Sequence, residues 1–289
     1  MAELVGVVAA SHGPLIARDW AKLPAPLQQR FAAAYRTLGA RLAQAAPDIL
    51  LTVATDHWTN FFLDNWPSVC IGVGACHDGP PEPFLKDFPH RALVGDPAFG
   101  KHLFATAIAA GFEPSISHHL ALDHGICIPL LRMEFARLPR LVPILVNELE
   151  PPMPSLARCL AWGRLVAAAI RSYPEPCRIA LLASGGLSHS IGEPGMGRID
   201  EAFDRAAIAA FEQASDEALV AVLESGLPRA GNGAEEVRSW LVAHGAAGSS
   251  GFALADYIPS REVYVGCAFA SWTVPGALSS ATAAAAAAR

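Results

Sequence analysis

Short runs rich in Val, Ile and Leu punctuate the chain at Leu4–Ala9, Ile49–Ala54, Val69–Val73, Leu141–Val146, Ile179–Ala183 and Val263–Phe269. Most are apolar at nearly every position rather than at alternate ones, the pattern of strands covered on both faces. Longer segments with helical periodicity separate them: Pro26–Ala46, Pro97–Ala110 with Asp96 as its cap, Ser155–Ser172, Asp200–Gln213, Asp216–Glu224 and Ala234–His244. The alternation predicts an α/β fold, a single domain with a central mixed sheet and helices on both faces. Pro- and Gly-rich stretches at His77–Pro89, Glu150–Pro154, Glu193–Gly197 and Pro228–Gly233 are expected to be loops, since none has the length and polarity of a domain linker. The domain is expected to span residues 1–275, followed by a low-complexity, disordered Ala-rich tail over 276–289.

Three of the apolar runs exit into a histidine. Leu4–Ala9 leads into Ser11-His12-Gly13-Pro14, Ile49–Ala54 into Thr55-Asp56-His57, and Ile179–Ala183 into Gly185-Gly186-Leu187-Ser188-His189. An open α/β sheet gathers its ligands at the carboxyl ends of its strands, so these imidazoles are expected to converge on one crevice. Neutral imidazole is a common metal ligand and the side chain best suited to proton transfer near neutrality. A lone histidine is more often an ordinary packed residue, and it is the matching positions of His12 and His57 that make them candidate metal ligands.

The anionic third ligand is expected from Gly231-Asn232-Gly233-Ala234-Glu235-Glu236, which opens a helix. At ~3.6 residues per turn, Val237, Trp240, Leu241 and His244 share one face, and Glu236 borders it. Glu235 points the other way with Arg238 and Ser239, where it need only complement the helix dipole. Two histidines and one carboxylate match the facial triad of non-haem Fe(II) oxygen chemistry, but zinc hydrolases use a similar set, so the triad leaves the metal open. His189, after paired glycines, and His124, in Leu122-Asp123-His124-Gly125, are the candidate base and acid; His118 and His119 are expected to be ordinary loop residues.

Composition narrows the remaining choices. With 52% hydrophobic residues the chain can build a large core, and a net charge of -6 without any Lys/Arg-rich run argues against nucleic acid as a partner. The best membrane candidate, Leu156–Ile170, is interrupted by Arg158 and Arg164 and falls short of the ~18 apolar residues a span needs. Six cysteines without a C-x-x-C pair suit free thiols and a cytoplasmic location. The chain has no G-x-S-x-G elbow, and no G-x-G-x-x-G or P-loop follows the first strand. A serine-hydrolase triad and a nucleotide cofactor are therefore not indicated.

Taken in chain order, Ser11-His12-Gly13-Pro14, Asp56-His57 with Asn60-Phe61-Phe62, Cys70-Ile71-Gly72-Val73-Gly74, Asp123-His124-Gly125, Gly185-Gly186-Leu187-Ser188-His189 and Glu236-x-x-x-Trp240 resemble the class III extradiol ring-cleavage dioxygenases. This family includes protocatechuate 4,5-dioxygenases and 2,3-dihydroxyphenylpropionate dioxygenases. The resemblance implies Fe(II) held by His12, His57 and Glu236, His189 as catalytic base and His124 as a second acid/base or positioning residue. It implies a small aromatic diol and O2 as substrates, and either a homo-oligomer or association with a small α-type subunit. Tyr173-Pro174-Glu175 and the stretch Ile191–Asp200 look closer to the protocatechuate and gallate branch. Arg18, Arg198 and the Asp56–Asn60 loop are candidates to meet a substrate carboxylate. The alternatives are a zinc-dependent hydrolase and a non-enzymatic binding relative on the same fold; the presence of both His189 and His124 argues against the latter.

Overall fold

The computed structural model describes residues 1–213 and 215–274, so the segment expected to be a disordered tail, 276–289, lies outside the described residues. The apolar runs become β1 (Glu3–Ala10), β2 (Ile49–Ala54), β3 (Val69–Gly72), β7 (Arg140–Val146), β8 (Arg178–Ser184) and β10 (Val265–Trp272). Two further strands, β6 (Ser115–Ser117) and β9 (Phe252–Ser260), join them in one sheet of order β6-β3-β7-β2-β8-β1-β10-β9. The four central strands β7, β2, β8 and β1 are parallel, whereas β3 and β10 run antiparallel to their inner neighbours. The sheet is thus mixed, as expected. β4 (Cys76–Gly79) and β5 (Arg91–Val94) form a separate small hairpin.

Helices cover both faces. On one side α2 (Ala25–Ala45) and α4 (His124–Arg132) pack Phe31, Leu38 and Ile126 against Val8 and Leu50. On the other, α3 (Pro97–Ala109), α5 (Leu156–Ser172), α6 (Glu201–Gln213), α7 (Asp216–Ala230) and α8 (Val237–Ala246) pack Leu103, Val166, Phe203, Leu223 and Trp240 against Val7, Val53 and Leu181. Neighbouring residues of one strand serve opposite cores, and that is why these strands carry almost no polar position. A short α1 (Leu15–Arg18) follows the first strand.

Boundaries differ from expectation where polar content or proline masked the period. β9, Phe-Ala-Leu-Ala-Asp-Tyr-Ile-Pro-Ser, alternates half-buried and exposed positions over its first five residues, the habit of a strand at the sheet edge, and its Asp and Pro hide it from a search for apolar runs. α7 continues through Pro228 to Ala230, into the stretch expected to be loop. The helix expected from Ala234 starts as a 3-10 turn over Asn232–Glu236 and becomes α-helical at Val237.

α8 sets the depth of the site, because two glycines let it cross α5 at close range. A Cβ on Gly163 would collide with the Val242 carbonyl, and one on Gly245 with the Leu160 carbonyl. Pressed between α5 and the sheet, every residue of α8 is buried. The expected division into an inner and an outer face therefore fails: Ser239, placed on the outer face with Glu235, is buried and donates to Glu148 at 2.8 Å.

Candidate active site

Parallel pairing brings the exits of β1, β2 and β8 to one edge, with Ala10 opposite Ser184 and Val53 opposite Ala183. His12, His57 and His189 follow directly. The turn carrying His57 is fixed by Asp56, whose carboxylate accepts the main-chain N–H groups of Thr59, Asn60 and Phe61 at 3.0–3.1 Å. Glu236 enters from the 3-10 turn with its side chain 1% exposed. Its Oε2 accepts the Gly186 N–H at 2.6 Å, which turns Oε1 toward His12 Nε2 at 3.4 Å, His57 Nε2 at 3.5 Å and His189 Nε2 at 3.7 Å. Glu235 instead pairs with Arg238, so the sequence separates the two glutamates correctly even though the helix has no solvent face.

Partners of the other ring nitrogens settle which imidazole atoms carry hydrogen. Ser184 has one hydroxyl hydrogen and donates it to the Gly125 carbonyl, so at 2.9 Å from His12 Nδ1 it must accept. A single oxygen of Asp123 accepts both the main-chain N–H and the Nδ1–H of His57, at 2.7 and 3.2 Å. The Leu187 carbonyl accepts from His189 Nδ1 at 3.0 Å. In the neutral rings every Nε2 is then a bare electron pair. His12 Nε2 and His57 Nε2 lie 3.3 Å apart, too close for two lone pairs with nothing between them. A cation among them and Glu236 would resolve the repulsion, and the flanking Asp123 and Ser184 stand where outer partners orient metal-binding imidazoles. The donor set fits a metal.

His124 stands beside this cluster, its ring centroid 4.0 Å from that of His57 and 5.5 Å from that of His12. Donor atoms of His12, His57 and His124 all lie within 4.8 Å of one another. The segment Gly231-Asn232-Gly233 packs on His189: the Gly233 N–H donates to the His189 carbonyl at 3.1 Å, and a Cβ at Gly233 would overlap the imidazole. Glycine here is what lets the candidate base touch the segment carrying the candidate ligand. Next to it, Ser188 is fixed by buried Asp204, which accepts the Ser188 N–H and hydroxyl at 2.7 and 2.8 Å and the Tyr257 hydroxyl at 2.6 Å. Burial lifts the Asp204 carboxyl to about 6 in spite of these donors.

Charge distribution follows from the same contacts. Burial alone would raise the Glu236 carboxyl, but the facing His12 and His189 imidazoles hold it well below the usual range. Burial likewise opposes a charge on His57, yet Asp123 and Glu236 outweigh it and raise the imidazole well above its ordinary value. His189 is raised too, Glu236 overcoming the burial penalty. For His124, burial and the neighbouring His57 prevail and lower it. Without a cation the site therefore draws protons to satisfy its carboxylates, and metal binding would release them.

Of the other expected residues, Arg18 is turned to Asp19 at 2.7 Å, and Arg198 donates to the Arg229 carbonyl at 2.8 Å. Asn60 donates to Asp56 at 2.6 Å and to the Ala121 carbonyl at 2.9 Å, a structural use of that loop. His119 is largely exposed and meets Asp78 at 3.0 Å. All six cysteines are free. Among the described residues no helix is long and apolar enough to cross a membrane. Sequence reasoning gave no role to three residues that hold the imidazoles: Asp123, inside the Asp123-His124-Gly125 motif, Ser184, next to the Gly185-Gly186 motif, and Glu82, which has no signal beyond being an acid in a proline-rich loop.

Comparison with known proteins agrees with this geometry. Two relatives named 2,3-dihydroxyphenylpropionate/2,3-dihydroxicinnamic acid 1,2-dioxygenase, from Photorhabdus laumondii and Pseudomonas putida, are 27% and 31% identical over 71% and 66% of this chain. The matches span 62% and 58% of those relatives' own lengths, less than two thirds in each case. A third of the same name, from Paraburkholderia xenovorans, is 28% identical, covering 72% of this chain and 78% of its own. In three dimensions an uncharacterised protein from Escherichia coli K12, JW3007, superposes with a TM-score of 0.62 over 92% of this chain and 99% of its own, at 17% identity, a likeness of fold alone. Residues 6–267, which include every strand exit and glutamate described above, match the family of the catalytic LigB subunit of aromatic ring-opening dioxygenase, and the chain belongs to that family.

Proposed function

We propose that this chain is an Fe(II)-dependent extradiol dioxygenase, opening the ring of a catechol-type aromatic acid and incorporating both atoms of O2. The observation that carries this reading is the convergence of His12 Nε2, His57 Nε2 and Glu236 Oε1, which lie 3.3–3.5 Å from one another in a buried pocket of bare electron pairs. Two imidazoles and one carboxylate with further positions open are the donor set of non-haem Fe(II) oxygenases. Bound iron would supply a template for diol and O2 and a conduit for electrons between them. His12, His57 and Glu236 hold it there. His189, its Nδ1–H engaged by Leu187, offers Nε2 to take a proton from a substrate hydroxyl, while Glu236 across from it favours the imidazolium that results. His124 is the second acid/base or positioning group.

The family and the relatives' names support an aromatic diol as substrate class. A protocatechuate- or gallate-like acid is the first choice, from the stretch Ile191–Asp200; 2,3-dihydroxyphenylpropionate, which the relatives' names print, is the second. A cytoplasmic location belongs to the same reading, as does assembly into a homo-oligomer or with a small α-type subunit. Exposed Phe62 and Leu63, close after His57, are apolar surface that such a neighbour would cover.

Oxygen uptake by anaerobically prepared, Fe(II)-loaded protein against a panel of these acids, with the ring-opened chromophore followed in parallel, tests the proposal. One O2 consumed per ring opened is the expected result. A preference for zinc, with hydrolytic turnover and no oxygen uptake on any diol, would overturn it.

A further inference from the structure

We infer that Glu82 is a positioning residue for His124, holding this imidazole in the tautomer whose bare Nε2 is turned to the site. The inference rests on the functional reading above only for its kinetic consequence. Glu82 belongs to the loop between β4 and β5, which follows Pro80 and is anchored by the buried side chains of Leu85 and Phe88. One carboxylate oxygen, Oε1, accepts both the main-chain N–H and the ring Nδ1–H of His124, each at 2.8 Å. A carboxylate oxygen can only accept, so the proton lies on Nδ1 and Nε2 is left bare, on a ring whose centroid is 4.0 Å from that of His57 and 5.5 Å from that of His12.

The site uses this device twice. Asp123 grips His57 in the same way, a single oxygen taking the main-chain N–H and the Nδ1–H of one histidine. Two neighbouring imidazoles, their centroids 4.0 Å apart and their planes tilted by 38°, are thus each locked by an acid from a different segment, one within the sequence motif of its neighbour and one from a distant loop. Fixing main chain and ring through one atom removes rotation about both side-chain torsions, and an imidazole so fixed loses little further freedom when a substrate hydroxyl meets it. The other Glu82 oxygen is buried and has no hydrogen-bond partner among the described residues, so none of them is a competing anchor for the carboxylate. A purely structural role, capping the first turn of α4, would need the main-chain bond alone; that turn already has Asp123, whose Oδ1 accepts the Gly125 N–H at 2.8 Å.

Tautomers are read directly from long-range proton–nitrogen correlation spectra of the full-length, zinc-loaded protein labelled with 15N-histidine, compared with Glu82→Gln and Glu82→Ala. Wild type should show His124 protonated at Nδ1 and bare at Nε2. Glu82→Gln, whose amide oxygen can accept the same two bonds, should keep that pattern, and Glu82→Ala should lose it. In the Fe(II)-loaded enzyme kcat should fall ~10–100-fold in Glu82→Ala, the range for removing a residue that orients a site imidazole, with KM changed less than about twofold and Glu82→Gln recovering most of the loss. A proton on Nε2 in wild type, or an unchanged His124 pattern in a folded Glu82→Ala, would overturn the inference; if Glu82→Ala does not fold, the wild-type spectrum still decides. Absence of turnover on every diol would instead count against the proposed function, since the tautomer is measured without activity.

Discussion

Buried histidines occur in two settings in this protein, and their contrast shows what turns an imidazole into chemistry. His77 and His244 are interior residues that each accept one hydrogen bond at Nδ1, from the Leu120 main chain at 3.2 Å and from the Trp272 indole at 2.9 Å. Neither Nε2 has a hydrogen-bond partner among the described residues, although Asp216 Oδ1 stands 3.7 Å from that of His244, and burial drives both to about 4, so they are neutral packing at physiological pH. His189 is buried as well and His57 is half-buried, but Asp123 and Glu236 reverse the sign of the shift. Burial withdraws charge from a histidine; a carboxylate at its other nitrogen, or facing its lone pair, restores it, whereas Asp216 beside His244 is itself paired with Arg164 and does not. The strand exits combine both.

The sharpest way to break the cluster is to remove its shared carboxylate. Glu236→Ala should abolish metal binding, an effect beyond the ~10–100-fold that losing an outer partner costs, while Glu235→Ala should bind normally; titration calorimetry with Fe(II) under anaerobic conditions separates the two. The next largest effect belongs to the other setting. His77 and His244 are neutral in the folded protein down to about pH 4, whereas the unfolded chain takes up protons below 6.5. Stability should therefore fall as pH drops from 6.5 to 4 and level off below, by as much as roughly 3 kcal/mol for each histidine. His77→Asn and His244→Asn should each flatten the pH dependence of the urea midpoint, and curves parallel to wild type would show that these residues are charged or wet.

His189→Ala should retain the metal yet lose ~100-fold or more in turnover, about 2.7 kcal/mol, the scale of a general base. Turnover within threefold of wild type would remove His189 from the chemistry. Smallest is Asp123→Asn, which replaces a charged acceptor at His57 by an amide. Metal affinity should weaken ~10–100-fold, measured by competition with a chelator, without loss of fold. An unchanged affinity would mean that the charge on Asp123 does not reach the metal site and that burial alone sets the character of His57.

Much of this arrangement was legible in the chain. Runs such as Ile-Leu-Leu-Thr-Val-Ala and Arg-Ile-Ala-Leu-Leu-Ala-Ser are covered on both faces, and their composition leaves no other good home for them. Strand exits could be predicted as the gathering place because parallel strands put their carboxyl ends on one edge, which brings His12, His57 and His189 together from 177 residues of sequence. Glu236 was separable from Glu235 by helical phase, although the phase argument assumed an outer face that α8 lacks. What could not be read was long-range partnership. Nothing local says that Asp123 grips His57 rather than its neighbour His124, or that an acid among the prolines of 80–83 grips His124. Such pairings depend on how loops return over the sheet, and hydrophobic period carries no record of it. The same holds for the edge strand β9, whose first half alternates half-buried and exposed residues, a different period from the one that marks the centre.

The position of β1 has a consequence in time. Of the strands in this sheet it is the first in chain order, yet its neighbours are β8 and β10, from residues 178–184 and 265–272. Until the ribosome has produced most of the chain, the segment carrying His12 has no partner on either side, and loop closure over such separations is slow. An apolar strand is thus left without its sheet partners for much of synthesis, and the proposed metal donors His12, His57 and Glu236 can meet only after residue 236 has been added.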